Sequence, residues 1–345
     1  MNKGDNRSSM DRRDFIKLSA AIAVGGQAML RAAGANASDK DLIRRHEQPT
    51  MTYRKLGRTN FMSSRLVFGG GAALAGGRAV RILERAFEAG INHYDLGSNI
   101  AYRGAEKSFA PFYKKHRDKI WVASKAPVMV KLDYGEEISV RQAKFAAKKW
   151  TSYLERSLKA MEIEYVDLYY VMGVGNVSLT KCEEMYGAFQ KARAAGKVGY
   201  FGVSTHKNAQ EVLEAAIETG WYDAAMIGIT PAGWYDWDSK ELVEDSPTLV
   251  ELAPLLDKAK KAGLGLIGMK TVRYMASMWA GGQDDDEAFD GLYSEKYMAA
   301  DLSPFQRAYA YVLEHGMDVV NADMQNFKHL EENIEAAAKS RAWFV

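Results

Sequence analysis

Glu88-Ala-Gly90-Ile-Asn-His-Tyr-Asp95 ends an amphipathic helical pattern on a glycine and runs at once into a short apolar strand that closes on a carboxylate. Glycine suits that junction because it enters the left-handed conformation that stops a helix without the steric cost of a Cβ. The same device returns at Ala194-Ala-Gly196-Lys-Val-Gly-Tyr-Phe-Gly202, Glu218-Thr-Gly220-Trp-Tyr-Asp-Ala-Ala-Met226, Lys261-Ala-Gly263-Leu-Gly-Leu-Ile-Gly-Met269 and Glu314-His-Gly316-Met-Asp-Val-Val-Asn-Ala322. Working outward from these junctions, strands are predicted over residues 66–70, 91–95, 120–124, 166–171, 198–202, 224–229, 264–269 and 318–322. Their apolar character is nearly continuous, as parallel strands buried on both faces require. Helices are predicted between them, among others over 78–89, 140–161, 179–195 and 248–262.

Eight strand–helix units in this length predict an α/β fold, a (β/α)8 TIM barrel. A doubly wound open sheet is the alternative, weakened because Gly69-Gly70-Gly71 lacks the spacing of a dinucleotide fingerprint. Residues 53–61, Tyr-Arg-Lys-Leu-Gly-Arg-Thr-Asn-Phe, read as an N-terminal β-hairpin able to plug the lower mouth. Long connections at 230–246 and 271–302 belong at the carboxyl end of the strands, where barrels place their sites.

The chain has 345 residues, 47% hydrophobic, enough for a large core. Lys plus Arg number 46 against 44 Asp plus Glu, a balance that argues against a nucleic-acid partner. The single cysteine, Cys182, excludes an intramolecular disulfide framework, a cysteine-rich zinc site and a self-contained iron–sulfur cluster. No run of apolar residues is long enough to predict a membrane span.

Residues 1–37 read as an export address. Met10-Asp-Arg-Arg-Asp-Phe-Ile-Lys17 sets Arg12 and Arg13 ahead of a weakly apolar run over 18–30, and Ala35-Asn36-Ala37 offers a small-x-small cleavage site before Ser38. That order resembles a twin-arginine (Tat) signal, which implies recognition by the Tat export machinery and a periplasmic or extracytoplasmic mature protein. An amphipathic N-terminal helix is the plainer alternative. The predicted organisation is thus signal 1–37, polar lead-in 38–50 and barrel 51–345.

The candidate chemistry gathers at the strand ends. Asp95 ends the second strand, Tyr102 follows in its loop, and Lys125 ends the third. A lysine beside a buried tyrosine favours the phenolate, and an aspartate keeps the lysine charged. Such a tyrosine can act as general acid on a small-molecule carbonyl reduced by hydride. Each residue also has a structural alternative: a loop cap, an ion pair, a packed ring.

With these residues in place the sequence resembles the aldo/keto reductase family across nearly all of 51–345. Tyr53-Arg-Lys-Leu-Gly57 is similar to its opening hairpin, Gly90-Ile-Asn-His-Tyr-Asp95 to its aspartate strand, and Tyr102-Arg-Gly-Ala-Glu106 to its tyrosine motif. Ser124-Lys125, Tyr165-Val-Asp-Leu-Tyr169, Gly199-Tyr-Phe-Gly-Val-Ser204, Gly265-Leu-Ile-Gly-Met-Lys270 and Leu330-Glu-Glu-Asn333 follow in the family's order. The resemblance implies reduction of aldehydes or ketones with NADP(H), without a metal, and a catalytic set of Asp95, Tyr102 and Lys125. It further implies cofactor contacts at Ser204, Lys270, Arg273, Asn326, Glu332 and Asn333.

The chain departs from that family pattern at several points. Met172 occupies the position of a histidine that donates to the substrate oxygen, and a thioether has no proton to donate. Asp95 and Tyr102 are two residues further apart than usual. Thr205, Met226 and Met269 replace nicotinamide contacts, while Asp323 and His329 stand where basic residues would meet a 2′-phosphate. These losses keep open a divergent, cofactor-free binding protein, lyase or isomerase, or an interaction subunit, on the same barrel.

Other motifs are less pointed. The six histidines show no ligand spacing, so no metal site is predicted. Asp284-Asp-Asp-Glu287 reads as a solvated acidic loop. Gly233-Trp-Tyr-Asp-Trp237 offers a binding wall, with Tyr274, Met275, Met278 and Trp279 as an opposite wall or a subunit contact.

Overall fold

The structure is a computed structural model and describes residues 41–344; the Tat signal lies outside the described residues. Strands β1 (Tyr53–Lys55) and β2 (Met62–Ser64) pair antiparallel as the expected hairpin. Eight parallel strands then close on themselves: β3 (Leu66–Gly69), β4 (His93–Asp95), β5 (Trp121–Pro127), β6 (Val166–Met172), β7 (Val198–Thr205), β8 (Ala224–Thr230), β10 (Gly265–Met269) and β11 (Val319–Asp323). A short β9 (Gly233–Trp234) folds back antiparallel on β8. Closure runs through β8–β10 and β11–β3, so the sheet is a barrel and the open-sheet alternative is excluded.

Around it lie α1 (Gly70–Leu74), α2 (Ile82–Glu88), α3 (Asn99–Tyr102), α4 (Ala105–His116), α5 (Val140–Ala160), α6 (Val177–Thr180) and α7 (Glu183–Ala194). They continue with α8 (Ala209–Thr219), α9 (Ala253–Lys261), α10 (Glu295–Met298), α11 (Pro304–Glu314) and α12 (Phe327–Lys339). Several predicted bounds shift for local reasons. Gly70 leaves its strand to begin α1. The helix expected over 179–195 breaks at the extended Cys182 into α6 and α7. The one expected over 248–262 starts at Ala253, with Pro254 in the first turn, where a missing N–H costs nothing. Gly90, at φ 93°, makes the helix-to-strand junction as its neighbours in sequence require.

Inward positions alternate along each strand and fill the barrel with Val67, Trp121, Ala123, Leu168, Tyr170, Met226, Ile267 and Val319. The hairpin closes the lower end. Leu56 and Phe61 enter this interior, and Phe61 stacks on Trp121 at 4.4 Å. The lead-in continues the plug: Arg45 donates to Asp167 at 3.0 Å and to the Ile120 carbonyl at 2.7 Å, its guanidinium over Trp121. With that end blocked, access to the interior is left to the carboxyl mouth, where the chemistry-bearing residues lie.

Candidate active site

Asp95 is the last residue of β4 and points across the mouth to Lys125. Lys125 lies inside β5, not at its end, because pairing with β6 extends that strand to Pro127. The Lys125 ammonium forms an ion pair with Asp95 Oδ2 and donates to the Leu96 carbonyl at 2.8 Å. Both side chains are almost sealed from solvent, at 3% and 2% exposure. Burial alone would pull the Lys125 pKa down, but the Asp95 carboxylate more than offsets this and raises it above its ordinary value. The lysine is therefore a permanent cation at neutral pH.

Asn321, in β11, was not singled out in sequence. Its amide donates to Asp95 Oδ2 at 2.7 Å and reaches the Met226 sulfur at 3.5 Å, spanning the interior. The only signal for it was a polar residue at an inward position of an otherwise apolar strand. Gly69 makes room for it, since a Cβ there would lie 2.4 Å from Asn321 Oδ1.

Tyr102 ends α3 and sits with its ring centroid 5.0 Å from Lys125 Nζ. Two glycines cradle the ring: a Cβ on Gly97 would stand 2.5 Å from Tyr102 Cδ2, and one on Gly71 would stand 3.0 Å from Cζ. Glu106, one turn on in α4, is buried and accepts a 2.7 Å hydrogen bond from Ser124, the residue before Lys125. This tie brings the tyrosine loop to β5 despite its longer separation from Asp95. The expected lowering of the phenol is corrected by the structure. Burial raises the Tyr102 pKa; Lys125 opposes that rise and Asp95 adds to it, so the net shift is upward. Tyr102 thus keeps its proton at neutral pH, the form a general acid needs.

Met172 closes β6 in register with Pro127 and Ser204, at the inward position. Ser204 is buried, while the Thr205 hydroxyl is engaged with the Lys207 carbonyl at 2.7 Å. Lys270 follows β10 directly and holds a left-handed φ of 65°, rare for a residue with a side chain. Its ammonium lies 3.8 Å from the centre of the Trp237 ring, and the Arg273 guanidinium carbon lies 5.3 Å from it. Asn326 is a helix cap: its Oδ1 accepts from the His329 N–H at 2.9 Å. Glu332 and Asn333 stand on α12, where the Glu332 carbonyl accepts from Gln306 of α11 at 3.2 Å. The first three catalytic candidates therefore converge, Lys270 and Arg273 share a second cluster, and Asn326 has a structural task.

The aromatic walls are only partly as expected. Trp234 and Tyr235 are buried, leaving Trp237 half-exposed as the wall. Met275 packs with Phe289 and Ala308 in a small core, while Met278 and Trp279 are exposed. Among the described residues no group of three His, Cys, Asp or Glu side chains is placed to hold a metal. Nor is any of their helices long and apolar enough to cross a membrane.

Burial, with Arg273 and Lys125 adding repulsion, pulls the Lys270 pKa down to about 7. An unfolded chain would hold that proton to an ordinary 10.5. Between those values the unfolded state binds more protons, so this residue makes stability rise with pH. The urea midpoint of the wild type should rise between about pH 7 and pH 9 by more than that of Lys270→Met. Parallel shifts in the two proteins would refute the assignment.

An eight-stranded barrel with an Asp–Lys–Tyr cluster at its carboxyl mouth defines an α/β-barrel protein built for polar chemistry on a small molecule. The aldo/keto reductase family model matches residues 66–341, and the chain belongs to the aldo/keto reductase family. L-glyceraldehyde 3-phosphate reductase of Escherichia coli (strain K12) is 33% identical over 156 residues, 43% of this chain. That match spans 42% of the relative, so the chain aligns with less than half of its length. The Glycine max protein named "Probable aldo-keto reductase 1" is 28% identical over 309 residues, 82% of this chain and 84% of that one. An aldo-keto reductase structure from Pseudomonas aeruginosa superposes with TM-score 0.60 at 19% identity, covering 86% of this chain and 97% of its own. One from Klebsiella pneumoniae, in complex with NADPH, gives TM-score 0.56 at 17% identity, covering 83% and 89%. At such identities the structures share the fold.

Proposed function

We propose that this chain is an NADP(H)-dependent oxidoreductase that reduces a small-molecule carbonyl, with Tyr102 as proton donor. The observation that carries this is the buried Asp95–Lys125 pair with Tyr102 beside it at the barrel mouth. Tyr102 would give its proton to the carbonyl oxygen as the carbonyl is reduced, and the Lys125 ammonium would stabilise the phenolate left behind. Asp95 and Asn321 position the lysine rather than touching substrate. Met172 donates nothing, so the substrate oxygen depends on Tyr102 alone.

The nicotinamide cofactor would supply the hydride. The residues fit its charged diphosphate: Lys270 and Arg273 would hold it, with Ser204 toward the nicotinamide end and Glu332 and Asn333 toward the adenine end. The family name and the relatives' printed activities favour the reductase reading. We further propose that the protein acts after Tat export, directed by residues 1–37; a variant with Arg12 and Arg13 changed to Lys should remain cytoplasmic on fractionation.

Titration of the purified chain with NADPH, followed by turnover of an aldehyde panel, tests the reductase. Tyr102→Phe should lower kcat/KM about 10²–10⁴-fold while cofactor affinity holds. Failure to bind NADPH would overturn the proposal in favour of a cofactor-free barrel.

A further inference from the structure

Two outcrops on the rim of the barrel mouth take no part in the proposed chemistry. The first follows β5, where Met129, Val130, Lys131, Arg141, Gln142 and Phe145 line a depression of about 230 Å³. Met129, Phe145 and, next to Arg141, Val140 are exposed there. Lys131, Arg141, Lys144 and Lys148 stand exposed around it, and none is in an ion pair among the described residues. The acids of that loop are mostly engaged within it: Glu136 accepts from the Asp133 N–H at 3.2 Å and Glu137 from the Ser178 hydroxyl at 2.8 Å. Asp133 is left to offset one of the four cations. The second outcrop follows β10. Backbone bonds from the Gln283 N–H to the Tyr274 carbonyl at 2.7 Å and from Asp284 to Ala276 at 2.9 Å close residues 274–284 into a turn. Met278 and Trp279 project from it, the indole fully in solvent. Asp284, Asp285, Asp286 and Glu287 leave its base, all exposed. An indole and a methionine exposed side by side mark a contact surface.

The two outcrops are opposite in sign, and the barrel order sets them opposite in position. Between β5 and β10 lie β6, β7 and β8 on one side and β11, β3 and β4 on the other, so they stand across the mouth from each other. Let two such rims face each other about a two-fold axis perpendicular to the line joining the outcrops. Each protomer's acidic outcrop then meets its partner's basic one, and the same contact forms twice. We propose that the chain pairs mouth to mouth as this two-fold dimer. Met278 and Trp279 of one protomer sit in the depression beside Met129 and Phe145 of its partner, and residues 284–287 face Lys131, Arg141, Lys144 and Lys148. A second copy is the occupant because one chain carries both halves of the contact, at the spacing a two-fold axis requires. An anionic membrane would attract the basic outcrop but repel the acidic one that carries the indole. The rim over β7 and over β3 lies between the two contacts and stays open to small molecules. The contact uses no residue assigned to the chemistry, so it stands whether or not the chain is a reductase.

Sedimentation equilibrium of the full chain should show a dimer that dissociates about tenfold more readily at about 0.5 M salt than at about 0.05 M. Trp279→Ser should weaken it about tenfold as well. Two charge reversals carry the decisive test: Lys144→Glu with Lys148→Glu, and Asp285→Lys with Asp286→Lys. All four positions are exposed, so both variants should keep the wild-type urea midpoint. Each variant alone should be monomeric, because both of its contacts set like charges together. An equal mixture of the two should recover a heterodimer, because every reversed outcrop then meets one of opposite sign. A monomeric wild type at about 0.1 mM overturns the proposal, and its capture by phosphatidylglycerol vesicles would give this face to a membrane instead. A dimer that neither reversal nor Trp279→Ser weakens forms elsewhere on the chain and overturns it too. Two monomeric variants that stay monomeric when mixed would refute the two-fold pairing.

Discussion

Replacing Lys125 by methionine is expected to cut carbonyl reduction about 10³-fold and to lower unfolding free energy by about 3–5 kcal/mol. The two losses have different origins. Activity falls because the phenolate formed when Tyr102 gives up its proton loses its adjacent cation. Stability falls because Asp95, 2% exposed, is left as a buried carboxylate whose remaining donor is Asn321. The double variant Lys125→Met with Asp95→Asn should regain most of the stability and none of the activity. Urea unfolding alongside kcat/KM measures both quantities. Equal stability of Lys125→Met and wild type would show that the pair is not buried as described. The sign with pH follows from Lys125 being raised above its ordinary 10.5. Its contribution is complete below that value and is lost only as pH climbs through the higher folded-state value, so Lys125 itself produces no acid or neutral transition.

Gly97→Val should lower kcat/KM about 10²-fold with little loss of stability. Gly97 has no left-handed backbone requirement, so the effect is steric: even its Cβ would fall 2.5 Å from Tyr102 Cδ2 and 2.6 Å from Cε2. The half-exposed ring can move outward, which spares the fold but carries the hydroxyl away from Lys125. Gly135→Ala, where a Cβ meets nothing within 4 Å, is the control and should be silent. A KM change without a fall in kcat would mean that the cradle shapes substrate binding and not the proton donor.

Much of this site was legible in the chain. Asp95 and Lys125 were readable because strand ends in a parallel barrel converge, whatever the intervening helices contain. Tyr102 was readable through Glu106, and the structure shows why: Glu106 is tied to Ser124, so the motif fixes the loop relative to β5. Asn321, Gly97 and Gly71 were not legible. Their roles depend on which atoms approach across the barrel, and linear spacing carries no such distance. Trp237 was legible as a loop aromatic, but its contact with Lys270 was not, because nothing local joins two residues on different loops.

What the sequence by itself determined is the alternation of buried strands and glycine-stopped helices, and hence a barrel with its carboxylate and lysine at one mouth. Local periodicity and backbone conformation suffice for that. Only the tertiary structure decided the protonation of the site and the neighbours of each charge. Burial outweighs Lys125 at Tyr102, so the phenol keeps its proton where adjacency alone predicted the reverse. The physical reason is that desolvation and Coulomb interactions depend on three-dimensional distance and on the exclusion of water, and both are set when strands far apart in the chain close into one wall.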